Sequence, residues 1–362
     1  MLSMIAWIAG FTPPQSIPGR FTRIWLFDGA VSTGGLARKA KEILMPDATF
    51  ADIRETIEAL PPCDLAIAEA VAARIAPEEG AAPSRSAEIC AWLAGVQRRA
   101  FPRIERPRVA IYAATHGIAA GLPGCGAADV VLLVADMLSG GGEAHGLIEA
   151  IGGELKLYEL AVEQPTGDSR QGPAMKHGEA ALAAVYGMVS VEQGVDVLVV
   201  SALGPGADVA AAALRRALRD SGGETDPLDL LAALGGPDIA AMLGAVIAAR
   251  FAGVPVILDG PAALAAAAVA RRLRPDALDH CYAAATGAFG DALVGEISAT
   301  PPPPNLPHRG GGTRNKAPKA LPLDGGGLGE GDGTNLIGKR AEPPLAGIAI
   351  VPVLEAACRL LG

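Results

Sequence analysis

Short aliphatic runs alternate with helical segments through the centre of the chain, and this alternation restricts the fold more than any other feature. The runs are RVAIYAATHG, LKLYELAV, VDVLVVSALG and GVPVILDG, separated by segments such as MKHGEAALAAVYGMVSVEQ and GGPDIAAMLGAVIAARFA. An unbroken apolar run is typical of a parallel strand that is buried on both faces. The alternation therefore predicts an α/β fold, a doubly wound parallel sheet with helices on both faces.

Composition and charge narrow the class of protein. Hydrophobic residues make up 50% of the chain but aromatic residues only 4%, so small aliphatic side chains should allow helices to pack closely. The net charge is −9 and the basic residues form no long run, which argues against a nucleic-acid partner. Small molecules are the expected ligands.

The cysteines and the first ten residues indicate the cellular compartment of the protein. Five cysteines without a CxxC pair indicate neither a disulfide framework nor a zinc site, and a reducing cytoplasm fits them best. The opening MLSMIAWIAG lacks the basic start and the cleavage site of a signal peptide. No apolar run is long enough to predict a membrane span.

Changes in composition divide the chain into four predicted parts. They are an extension of uncertain structure at 1–44, a helical small domain at 45–105 joined by 345–362, an α/β nucleotide-binding domain at 106–297, and a Pro/Gly-rich low-complexity insertion at 298–341. The insertion has almost no apolar periodicity, which is typical of loops and disordered segments.

Glycine pairs precede two predicted helices at the edge of the sheet where a ligand would bind. Ligands of doubly wound sheets bind beyond the carboxyl ends of the strands. Gly204 and Gly206 precede one predicted helix, and Gly235 and Gly236 precede another. Backbone amides at such helix starts can hold a phosphate. The spacing is neither GxGxxG nor a P-loop, so ordinary turn formation is the alternative interpretation.

Three polar residues occupy the same predicted edge. Asp238 falls in the first turn of a helix, where it either stabilises the helix dipole or contacts a ligand. Asp259 follows a strand and either caps the next helix or faces the cleft. His116 lies just beyond the first strand, where a structural role competes with a functional one. The other histidines share no metal-binding spacing, so neither a metal nor another cofactor is expected.

The stretch DPLDLLAALGGPDIAAMLGAVIAARFAGVPVILDGPAALAAAAVARRLRPDALDH resembles the nicotinate-nucleotide:dimethylbenzimidazole phosphoribosyltransferases, which build the lower ligand of cobalamin. It looks like the family's GG-x-EIA-AM-G and PV-x-LDG segments in the same order and spacing. Weaker likeness extends over about 49–297 and 345–361. The resemblance implies transfer of the ribose phosphate of nicotinate mononucleotide to a benzimidazole-type base, no cofactor, and a homodimer.

Several family residues are replaced in this divergent sequence. Ala202 stands where the family's GEMGIGNTT loop has its glutamate, and Thr115 stands where the family has an aspartate before HG. AAATGAFGDAL lacks the polar side chains of the family's His-x-Ser-x-Glu stretch. The alternative function is therefore a catalytically impaired paralogue that binds nucleotide or a partner without turnover.

The resemblance also implies a general base. In the family, a glutamate in an RLGEGTGA loop takes the benzimidazole proton, a task that suits a carboxylate. GLGEGDGT resembles that loop and offers Glu330. Counting back from Pro352 along the helix that follows the loop instead reaches Glu342, twelve residues later than Glu330. Both residues stay candidates, and Glu342 is the one next to the closing helix.

Overall fold

The computed structural model describes residues 23–26, 39–42, 48–75, 83–140, 143–285, 293 and 346–361. The strands are β1 (Arg23–Leu26), β2 (Lys39–Glu42), β3 (Pro107–Ala113), β4 (Glu154–Glu159), β5 (Val197–Leu203), β6 (Val256–Leu258) and β7 (Cys281–Ala283). The helices are α1 (Phe50–Glu58), α2 (Leu65–Arg74), α3 (Arg85–Gln97), α4 (Ala127–Leu138), α5 (Glu143–Ala150), α6 (His177–Met188), α7 (Gly206–Asp220), α8 (Pro227–Leu234), α9 (Pro237–Ala252), α10 (Gly260–Leu273) and α11 (Ala346–Cys358). Among these helices none is long and apolar enough to cross a membrane.

The strands form one sheet in the order β2-β1-β4-β3-β5-β6-β7. The five strands from β3 to β7 are mutually parallel, which confirms the predicted parallel sheet. The strands β1 and β2 add an antiparallel edge beside β4. Sequence patterns predicted neither this edge nor β7, because RIWL in β1, KAKE in β2 and CYA in β7 contain at most two aliphatic residues each, whereas the equally short β6 (VIL) is aliphatic throughout.

Helices cover both faces of the sheet, as predicted. All seven residues of β3 are buried. Val109, Ile111 and Ala113 join an apolar cluster with residues of α2–α5 and α11, whereas Ala110 and Tyr112 join a cluster with residues of α1 and α6–α10. Successive side chains of a strand point to opposite faces, so each face needs its own helical layer. The continuous aliphatic runs of the sequence reflect this double burial.

Close helix packing is most pronounced where α6 meets α9. A Cβ added at Gly187 would lie 1.7 Å from the carbonyl oxygen of Ala241, and one at Gly244 would lie 1.7 Å from that of Ala184. The two backbones are therefore in direct contact. This contact agrees with the small side chains that the composition shows.

The helices of the predicted small domain lie on both faces. The helix α11 packs against α3 and against β5 and β6 of the sheet, whereas α1 packs against α6 on the other face. Local caps explain where these helices begin, with Thr49, Asp64 and Ser84 each accepting a hydrogen bond from a first-turn amide. The division into domains stays a prediction, and the insertion at 298–341 lies outside the described residues.

Candidate functional site

The carboxyl ends of β3, β5 and β6 lie side by side and define one edge of the sheet. Ala113 pairs with Leu203, and Val200 pairs with Leu258. The loops that follow these strands therefore meet at this edge, as in other doubly wound sheets. The predicted residues His116, Gly204 and Asp259 belong to these loops, and Gly206 begins the helix that follows one of them.

His116 and Asp238 bind each other inside the protein. The Nε2 atom of His116 lies 2.9 Å from Oδ2 of Asp238, and neither side chain is exposed. The other carboxylate oxygen of Asp238 accepts a hydrogen bond from the Ile239 amide at 2.8 Å. The pair thus joins the loop after β3 to the first turn of α9. The Nδ1 atom of His116 is buried and has no hydrogen-bond partner among the described residues.

Two of the predicted glycines leave room for the His116 ring. A Cβ at Gly236 would lie 2.1 Å from Cε1 of His116, and 2.7 Å from both Nδ1 of His116 and Oδ1 of Asp238. A Cβ at Gly206 would lie 3.2 Å from Cβ of His116. The starts of α7 and α9 are therefore both packed on the same histidine. The structure brings together residues that the sequence separates widely.

The other two predicted glycines have different local reasons. Gly204 has a φ of +118°, a conformation that residues with a side chain rarely adopt. Gly235 ends α8, where its amide donates to the carbonyl of Leu231 at 2.9 Å. A Cβ at Gly235 would lie 2.7 Å from that carbonyl oxygen. Turn geometry alone accounts for both glycines, and whether either meets a phosphate stays a prediction.

Asp208 is an acid at this edge that the sequence analysis missed. It lies in the first turn of α7 and is exposed to solvent. Neighbouring protein atoms withdraw its carboxyl from part of the water, and this desolvation, together with the charge of Asp238, raises its pKa to about 6 against the opposing effect of His116. A carboxyl with a pKa near neutrality can exchange protons at physiological pH. The sequence did contain a signal for this acid. Asp208 follows a predicted strand and the two glycines Gly204 and Gly206, and it lies two residues after the start of the predicted helix.

The loop between β4 and α6 also reaches the edge and was not predicted. Thr166 donates its amide to the carbonyl of Thr115 at 2.9 Å and accepts from the amide of Gly117 at 3.0 Å. The Thr115 hydroxyl donates to the carbonyl of Val162 at 2.6 Å. A Cβ at Gly117 would lie 2.3 Å from the carbonyl oxygen of Thr166. Backbone contacts of this kind leave little sequence signal.

The side chain of Asp259 neither caps the helix that follows it nor forms an ion pair within the described residues. It precedes α10 but accepts no hydrogen bond from the amides of that helix. Its Oδ2 atom accepts a hydrogen bond from the amide of Gly347, in the first turn of α11, at 2.8 Å. Burial raises the pKa of this carboxyl to about 7, and the Gly347 amide opposes the rise. The cap of α10 that one interpretation expected is therefore absent.

The two candidate bases, Glu330 and Glu342, lie outside the described residues. Within the described ranges, no three or more His, Cys, Asp or Glu residues are grouped so that they could hold a metal ion.

Comparison with known proteins identifies the family. A profile of a phosphoribosyltransferase family matches residues 61–222 and 213–290. The nicotinate-nucleotide--dimethylbenzimidazole phosphoribosyltransferase of Cereibacter sphaeroides is 37% identical over 281 residues, covering 68% of this chain and 83% of the relative. The chain belongs to the nicotinate-nucleotide--dimethylbenzimidazole phosphoribosyltransferase family.

A second curated relative and one solved structure are also similar to this chain. The Methylocella silvestris enzyme is 35% identical over 289 residues, covering 69% of this chain and 85% of the relative. The crystal structure of CobT from Thermus thermophilus matches with a TM-score of 0.61 at 22% identity, covering 82% of this chain and 95% of that chain. The structural likeness supports the α/β fold, and the sequence matches support the family.

Proposed function

We propose that this protein is a transferase that moves the ribose phosphate of nicotinate mononucleotide to a benzimidazole-type base. The observation that carries the proposal is the convergence of two glycine-led helix starts, Gly206 of α7 and Gly236 of α9, at one edge of a parallel sheet in a chain of this family. Helix N-termini bind anions through free amides and the helix dipole. The phosphate of the nucleotide is the group that fits them.

An acid at the same edge of the sheet suits the positively charged nicotinate end of the nucleotide. The nicotinate ring of the nucleotide is a pyridinium cation, and cleavage of its bond to ribose leaves positive charge on the sugar. The carboxylate of Asp208 faces solvent at this edge and can stabilise such charge. In the reaction, a nitrogen of the benzimidazole forms a bond to the anomeric carbon of the ribose. The bond between that carbon and nicotinate breaks, and its electron pair leaves with the nicotinate nitrogen. A carboxylate accepts the proton that the benzimidazole loses.

The candidate base that chain connectivity favours is Glu342. It precedes Ala346 by four residues, so its backbone lies within about 14 Å of the start of α11 in any conformation of the chain. Glu330 precedes Ala346 by sixteen residues. An extended chain of that length spans about 58 Å, so connectivity does not restrict Glu330 to the neighbourhood of α11. Since Gly347 of α11 is attached to Asp259 at the sheet edge, a base near α11 is close to the proposed substrate.

A second candidate function is binding without turnover. The family's glutamate is replaced by Ala202 and its aspartate by Thr115, and the Thr115 hydroxyl is occupied by the carbonyl of Val162. This chain keeps the helix starts that are proposed to bind the nucleotide phosphate but lacks two of the family's acids. It is therefore better equipped to bind a nucleotide than to convert it.

We also propose that the protein forms a homodimer, as the family resemblance implies, and that it is located in the cytoplasm. The five cysteines are free, which suits a reducing compartment. Sedimentation at micromolar concentration tests the dimer, and a monomer would remove that part of the proposal.

The deciding experiment is an assay of purified protein with nicotinate mononucleotide and dimethylbenzimidazole, with ribazole phosphate and nicotinate measured by chromatography. Formation of both products in equal amounts is the expected result. If no product forms at high protein concentration while calorimetry detects nucleotide binding, the second function holds. If neither product nor binding is detected, both proposals fail.

A further inference from the structure

Asp259 forms a contact that connects the sheet edge to the last helix of the chain. Its carboxylate accepts the Gly347 amide at 2.8 Å, and 88 residues separate the two in the sequence. Asp259 is 2% exposed, so water does not compete for this hydrogen bond. The contact is thus a specific attachment of α11 to the end of β6.

The contact requires a residue without a side chain at position 347. A Cβ at this position would lie 2.7 Å from Oδ2 of Asp259 and 2.7 Å from Cγ1 of Val199 in β5. The first turn of α11 therefore lies against both β5 and the loop after β6, and any side chain at Gly347 would push it outwards. The two residues act as a matched pair.

The position of Asp259 argues against a ligand role. A substrate-binding carboxylate needs exposure to the cleft, whereas Asp259 is buried and its Oδ2 atom is already occupied. Burial of a carboxyl group is unfavourable unless hydrogen bonds compensate, and this cost is reflected in its raised pKa. Burial of this carboxyl is unfavourable in free energy, and it occurs at the edge where substrates are proposed to bind. Its role there therefore concerns the reaction and not stability alone.

We propose that Asp259 is a positioning residue, which fixes the first turn of α11 against β5 and the loop after β6 and so holds this edge of the sheet in the geometry that the transfer needs. The inference rests on the proposed transferase function, because positioning has a meaning only relative to the reaction. Displacement of a reacting group by about 1 Å can lower a rate by up to about 100-fold. A positioning residue therefore affects kcat, and its loss leaves the KM for nicotinate mononucleotide nearly unchanged.

The test compares five full-length variants, four single substitutions and the double variant Asp259→Ala/Gly347→Ala, by steady-state kinetics and by hydrogen exchange of peptides from α11. Asp259→Ala removes the acceptor, Asp259→Asn keeps an oxygen acceptor of the same shape, and Gly347→Ala displaces the helix from the other side. Asp64→Ala is the matched control, because Asp64 also accepts a helix amide, that of Ile67 at 2.9 Å, but at the start of α2.

The expected result is that Asp259→Ala and Gly347→Ala each speed exchange in α11 and lower kcat by about 10- to 100-fold with KM unchanged. Combining them adds little to either, since both break one contact. Asp259→Asn retains most of kcat, and Asp64→Ala leaves kcat as in the unaltered protein. If Asp259→Ala does not fold, Gly347→Ala provides the same comparison.

Two results would overturn the inference. One is unchanged exchange in α11 in both Asp259→Ala and Gly347→Ala. The other is a raised KM for the nucleotide with kcat unchanged, which would make Asp259 a substrate ligand. Absence of turnover in the unaltered protein would instead refute the proposed function, and the exchange measurement would still decide whether Asp259 holds α11.

Discussion

The Nε2 atom of His116 lies 2.9 Å from Oδ2 of Asp238, and both side chains are closed to solvent. The pair joins the loop after β3 to the start of α9, while Gly206 brings the start of α7 against the same imidazole ring. A single buried contact thus sets the relative position of the two helix starts that are proposed to bind phosphate. Its loss should affect stability and nucleotide binding together.

Replacement of His116 by alanine should lower the free energy of unfolding by about 3–5 kcal/mol, because it leaves the Asp238 carboxylate buried without its partner. Urea denaturation measures this change. The exposed pair His177 and Asp229, 3.5 Å apart, is the control, and His177→Ala should cost less than about 1 kcal/mol. Equal costs at the two histidines would contradict the structural role of the buried pair.

Gly236→Ala should weaken nucleotide binding and destabilise the fold, because the new Cβ would occupy the space of the His116 ring. Gly178→Ala is the matched control. Gly178 is also at a helix start, in α6, but a Cβ there would meet nothing within 4 Å. Calorimetry with nicotinate mononucleotide should show lower affinity for the first variant only. Equal affinities would place the phosphate away from the start of α9.

Stability should depend on pH through Asp259. The pKa of its carboxyl is raised to about 7 in the folded protein, whereas an unfolded aspartate has a pKa of about 3.9. The folded chain therefore holds the proton over a range in which the unfolded chain has lost it. The resulting stabilisation is complete below about pH 4 and is lost as the pH rises through about 7, at roughly 1.4 kcal/mol per unit of pKa shift.

Comparison of urea denaturation of the unaltered protein and Asp259→Asn between pH 4 and 8 tests this dependence. Asparagine does not titrate, so the decline in stability between pH 4 and 7 should be smaller in the variant. Asp208 also has a raised pKa, of about 6, and contributes equally to both proteins. Parallel pH profiles would show that the pKa of Asp259 is not raised.

Gly244→Ala should destabilise the fold strongly, because its Cβ would lie 1.7 Å from the carbonyl oxygen of Ala184 and would force α6 and α9 apart. Overpacking of this kind costs about 1–3 kcal/mol or more. Gly146→Ala is the control in α5, where a Cβ meets nothing within 4 Å and should stabilise the helix by about 0.5–1 kcal/mol. Thermal denaturation should therefore shift in opposite directions for the two variants.

If the protein is active, Glu342→Gln should abolish most turnover and Glu330→Gln should leave it intact, because only Glu342 is tethered close to α11. The two substitutions are chemically identical and serve as controls for each other. The reverse pattern would make GLGEGDGT the catalytic loop. If neither variant loses activity in the ribazole phosphate assay, the base must come from elsewhere, and Asp208 is the exposed acid to replace next.

The sequence alone determined the class of fold and the edge of the sheet at which to look. Its aliphatic runs and helical periods are local signals, because a strand buried on two faces is apolar at most positions. Since Gly204 ends the run VDVLVVSALG and Gly206 lies two residues beyond it, the sequence was sufficient to place both at the end of β5. The strands β1, β2 and β7 gave no such signal, because they contain at most two aliphatic residues each, whereas the equally short β6 is aliphatic throughout.

Only the tertiary structure decided which side chains meet. The contact between His116 and Asp238 spans 122 residues, and that between Asp259 and Gly347 spans 88. Asp259 precedes α10 in the sequence and would by local rules cap it, yet it binds α11, because the sheet order brings the last helix of the chain onto the end of β6. Partner choice over such separations depends on how the layers pack, and no local pattern in the chain encodes it.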